Sequence, residues 1–64
     1  MNQEQFLQYT ILLLRDAIVE KEMILNRANI DFKLYGQWQC DYQAGINEQN
    51  DKIEQYKNNI EKAS

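Results

Sequence analysis

The sequence predicts an all-α protein: an antiparallel, coiled-coil-like two-helix hairpin that dimerises into a four-helix bundle. One long coiled-coil helix is the competing architecture. Three observations lead there: apolar side chains recur every seven residues, glycine occurs only at positions 36 and 45, and proline is absent. Ile11, Ile18, Leu25, Phe32, Ile46, Ile53 and Ile60 share one phase, interrupted by Gln39. Leu7, Leu14, Ala28, Tyr35, Tyr42, Tyr56 and Ala63 form a second set offset by three or four residues, interrupted by Lys21 and Gln49. A helix turns once per 3.6 residues, so the two sets lie side by side and must meet another helix. The expected oligomer seam comprises Leu7, Ile11, Leu14, Ile18, Lys21, Leu25, Ile46, Ile53, Tyr56 and Ile60.

The first helix is expected over about 3–34, with Asn2 capping its start by accepting from an early backbone N–H. Its apolar arc (Phe6, Leu7, Ile11, Leu13, Leu14, Ala17, Ile18, Ile24, Leu25 and Ala28) covers nearly half the circumference, wider than a two-stranded coil requires. Leu12, Val19 and Met23 form a second patch on the far side, and one hairpin cannot cover both. Lys21 falls inside the arc, where its stem can lie across the seam while the ammonium reaches water, or where the charge fixes the oligomeric state.

From Asn29 to Ala44 the pattern is mixed. Ile30, Phe32 and Leu34 alternate as in a strand, whereas Phe32, Tyr35, Trp38 and Tyr42 follow helical spacing. A lone strand has no partner, so helix is expected here, with a break near Gly36. The second helix, about 38–62, carries a narrow stripe of Ile46, Ile53 and Ile60 beside Tyr42 and Tyr56. Glu48 and Lys52 form an i,i+4 pair on its polar face. The phase survives both glycines, which suits an unbroken rod of ~90 Å. The unequal stripes suit a hairpin.

Sixty-four residues make a single domain, 1–64, that buries only roughly 60 % of its unfolded surface. Small scaffolds usually add a disulfide, a metal or a partner. Cys40 has no second cysteine to pair with and there is no histidine, which leaves self-association or docking on another protein. Cys40 reads as a bystander thiol. The net charge is −3, and the seven basic residues stand five or more positions apart, with no patch for phosphates. The longest apolar run, Tyr9 to Leu14, is too short to cross a membrane and does not resemble a signal peptide. A soluble cytoplasmic protein is expected, with no direct nucleic-acid binding and no membrane partner.

No reaction is expected. Histidine is absent, Ser64 is the one serine, and the carboxylate pairs Glu20/Glu22 and Glu48/Asp51 lie on polar faces that cannot keep one acid protonated. No cofactor is expected, and Asp41, Glu48, Asp51 and Glu54 lack the spacing of a Ca²⁺ loop. Recognition residues are sought in Tyr35, Trp38 and Tyr42, since Trp and Tyr dominate interface hot spots, together with Leu12, Val19 and Met23. The expected function is a small non-enzymatic factor that binds another protein through helix faces. It would be an adaptor, or an inhibitor that occludes or remodels a host or defence protein. The Asn/Gln-rich composition suggests a bacteriophage or mobile-element origin. A structural self-assembly module is the alternative. An acidic nucleic-acid mimic built on Asp41, Glu48, Asp51, Glu54 and Glu61 is the third reading, weakened by the interleaved Lys52, Lys57 and Lys62.

Overall fold

The computed structural model describes residues 2–63, so Ser64 lies outside the described residues. Two helices, α1 (Gln3–Tyr35) and α2 (Tyr42–Ala63), pack along each other. The long dimension is 49 Å, the length of α1 alone at about 1.5 Å per residue. The chain therefore reverses into a hairpin, and the single-rod alternative is excluded.

Local chemistry sets each helix end. Asn2 is extended, and its side chain accepts from the Gln5 N–H at 2.8 Å. That satisfies one of the donors a helix start leaves open. At the other end Gly36 takes φ 72°, and its N–H donates to the Phe32 carbonyl at 2.8 Å. Only glycine enters this left-handed region without strain.

The second helix starts at Tyr42, later than the expected position near 38, because residues 39–41 direct their hydrogen bonds to the turn. The Asp41 side chain accepts from the Ala44 N–H at 3.1 Å and so acts as the cap of α2. The Gln39 N–H donates to the Asp31 carboxylate at 3.3 Å. The Tyr42 hydroxyl donates to the same Asp31 oxygen. One carboxylate on α1 thus holds both the connection and the first residue of α2. At the opposite end of the hairpin the Gln3 side-chain amide donates to the Ala63 carbonyl.

Between these ends, α1 turns short or polar side chains toward α2. Thr10, Ala17 and Ala28 are buried, with Ile24 and Asp31 half-buried on the same three-and-four spacing. The Thr10 hydroxyl is satisfied locally by the Phe6 carbonyl at 2.8 Å. From α2 come Tyr42, Ile46 and Gln49, all buried, then Ile53, Tyr56 and Ile60, half-buried. Gly45 also faces this contact. A Cβ there would stand 3.2 Å from Ile24 Cδ1, so its absence lets the helices close up. Among the described residues no large side chain is fully buried.

Two outcomes are expected. Gly36→Ala has open space for its methyl, so its cost is conformational, about 1 kcal/mol, read as a lower midpoint in urea melts. The bond to Asp31 also raises the Tyr42 phenol well above its ordinary value of 10.0, helped by burial and by Cys40. A raised phenol pKa contributes stability in full below about pH 10 and loses it as pH climbs further. Thermal melts at rising alkaline pH should therefore decline less steeply for Tyr42→Phe than for the unmodified chain.

Candidate interaction surface

Thr10, Ala17 and Ala28 line the closest part of the contact with α2, Leu7, Leu13, Leu14, Lys21 and Ile24 are half-buried around it, and a further set of large side chains on α1 stays outside. Ile11, Ile18, Leu25 and Phe32 form a straight ridge along one flank, each 39–60 % exposed. They sit one position on from Thr10, Ala17, Ile24 and Asp31, a rotation of roughly 100° about the helix. Of the expected oligomer seam, Leu7, Leu14, Lys21, Ile46, Ile53, Tyr56 and Ile60 lie in the contact between the two helices. Ile11, Ile18 and Leu25 do not, and the described residues leave each of them 39–51 % exposed.

Leu12, Val19 and Met23 are exposed on the back of α1, each by 46–60 %, with Tyr9 and Ile30 continuing the patch. A polar line of Gln8, Arg15, Glu22 and Asn29 separates it from the ridge. Helix α1 thus carries two distinct apolar surfaces.

The aromatic residues near the turn divide. Tyr35 and Trp38 are exposed, whereas Tyr42 is buried and anchored to Asp31. The rings of Trp38 and Tyr42 meet edge to face, with centroids 5.8 Å apart and planes at 83°. Tyr42 belongs to the turn, and the indole caps it from outside. Cys40 is exposed on the same turn.

The two sides of the hairpin differ in character. Antiparallel packing tilts Ile53 and Ile60 of α2 toward the side that carries the ridge, since 3.6-residue periodicity places both series on that side of the contact. The opposite side is a shallow groove bordered by Asp16, Glu20 and Lys52 around Leu13 and Ala17. Glu48 and Lys52 pair there at 3.5 Å as expected, exposed and of small energetic weight.

Surface area gives the scale of the imbalance. The chain exposes 5081 Å², whereas a folded monomer of 7.7 kDa exposes about 4,300 Å². The surplus is close to the roughly 800 Å² that each partner contributes to an ordinary protein–protein interface.

Neither described helix is long and apolar enough to cross a membrane. Among the described residues no three His, Cys, Asp or Glu side chains gather as metal ligands would. The residues that the apolar pattern does not reveal are Asp31, which organises the turn, and Thr10, a polar group inside the helix contact; Gln49, the polar interruption of the second set, is buried there as well. Asp31 lies one position before Phe32 in the heptad pattern, and that offset was the available signal.

Replacing Leu12, Val19 and Met23 together by Gln should leave the far-UV circular dichroism and the melting temperature nearly unchanged, because exposed substitutions fall within about ±0.5 kcal/mol each. Binding of a hydrophobic dye should fall. A large loss of stability would show that these positions are covered.

No protein-family model, curated protein or solved structure matches the chain.

Proposed function

We propose that the chain is a non-enzymatic protein-binding module that self-associates through one face of α1 and engages a different protein through another. The observation that carries this reading is the presence of two exposed apolar surfaces on one helix, kept apart by the Gln8–Arg15–Glu22–Asn29 line. One surface suits self-association. The other, Leu12–Val19–Met23 flanked by Tyr9 and Ile30, stays free for a partner, with Tyr35 and Trp38 extending contact at the turn. Exposed apolar patches of this kind mark interaction sites in soluble proteins. Action would be steric, by occluding the partner or altering its assembly. A reducing compartment such as the cytoplasm suits the exposed Cys40 thiol.

A pure self-assembly module is the second reading, favoured by the surplus of exposed surface. It requires Leu12, Val19 and Met23 to be buried between copies. Affinity capture from the native host separates the two. The triple Gln variant and Trp38→Ala should each retain helicity and oligomeric mass but lose specific partners that the unmodified chain retains. An identical set of captured proteins for all three would refute the heterologous role.

A further inference from the structure

We propose that the Ile11–Ile18–Leu25 part of the ridge is covered by a second copy of the chain, α1 lying antiparallel on α1 about a two-fold axis at Ile18. This rests on the self-association reading above and specifies its geometry. Symmetry supplies the first argument. In an isologous contact a residue and its opposite number exchange roles, and Ile11, Ile18 and Leu25 are balanced about Ile18, whereas Phe32 falls opposite Glu4 at the edge of the contact. Ile11 meets Leu25 of the second copy, Leu25 meets Ile11, and Ile18 meets itself.

Charge supplies the second argument. The polar line beside the ridge has Arg15 and Glu22 in equivalent positions one heptad apart, on either side of Ile18. Antiparallel pairing brings the same heptad positions together across the contact. Each Arg15 then stands level with Glu22 of the other copy, twice over. Parallel pairing about a two-fold axis would set this line against the Leu7–Leu14–Lys21–Ala28 flank of the second copy, which offers Arg15 no carboxylate. Pairing α1 on α2 of the second copy would set the apolar ridge against Gln43, Asn50 and Lys57, a polar row.

Area supplies the third. A face 49 Å long and about two helix diameters (~20 Å) wide offers on the order of 1,000 Å² per copy. Two such faces bury roughly 2,000 Å², the scale of a stable dimer. Ile53 and Ile60 lean to the same side and close the second row of the bundle. The Leu12–Val19–Met23 patch remains outside.

The test is charge exchange read by sedimentation equilibrium. The unmodified chain should be a dimer at micromolar concentration. Arg15→Glu and Glu22→Arg should each weaken it roughly ten-fold or more, because two attractive pairs become two repulsive ones. An equimolar mixture of the two variants, or the double exchange R15E/E22R, should restore dimerisation. In a Cys40→Ser background, Ile18→Cys should oxidise to a covalent dimer and Leu12→Cys should not. A dimer indifferent to all charge variants, with no cross-link from position 18, overturns this geometry and leaves self-association standing. A monomeric unmodified chain overturns both.

Discussion

The close approach of α1 and α2 rests on short side chains, and the rest of the molecule follows from that contact. Ala17, Ala28, Thr10 and the missing Cβ of Gly45 let Ile46, Gln49 and Tyr42 sit near the opposing backbone. Leu7, Leu13, Leu14 and Ile24 are half-buried around that close approach, and it has no room for the remaining large side chains of α1. Ile11, Ile18, Leu25 and Phe32 are consequently displaced to a flank. The second helix, with one apolar stripe and a polar remainder, cannot reach round to cover them. Burial of four hydrophobic residues (Ala17, Ala28, Tyr42 and Ile46) among those described is a small core for a cooperative fold. Additional apolar contact with another chain adds directly to what holds the hairpin closed.

The turn solves a separate problem. A hairpin needs its second helix aimed back along the first, and six residues of connection leave many directions open. Asp31 removes most of that freedom by accepting from both the Gln39 N–H and the Tyr42 hydroxyl. Asp41 then starts α2 at a defined residue. Trp38 packs edge-on against the Tyr42 ring and shields this arrangement. The aromatic group near Gly36 therefore serves two purposes, with Tyr42 facing inward and Tyr35 and Trp38 outward.

Much of this architecture was legible in the residues. Asn2 and Gly36 carry the physical signatures of a helix start and stop, and both act as such. The narrow stripe of α2 foretold a helix packed along one side. The break is longer than glycine alone suggests, because Asp41 caps α2 and Asp31, brought close only by the fold, ties residues 39 and 42 into the turn. Heptad spacing places Leu7, Leu14, Lys21 and Ala28 on a seam. It does not say which adjacent series, Ile11–Ile18–Leu25 or Thr10–Ala17–Ile24, faces the sibling helix. Counting apolar character favours the first. Side-chain size favours the second, since Ala17 opposite Gln49 permits a spacing that Ile18 would not. The exposed patch of Leu12, Val19 and Met23 could be read in advance because opposite faces of one helix cannot both meet one neighbour.

The bond between the Gln3 amide and the Ala63 carbonyl carries a practical corollary. Both ends of the described chain emerge at one pole of a body 49 Å long, with the indole of Trp38 at the other. A fluorophore or purification handle attached to either end would hang from that shared pole, far from the aromatic tip of the same hairpin. A single hairpin tethered in this way would present the tip outward, like a probe on a cantilever.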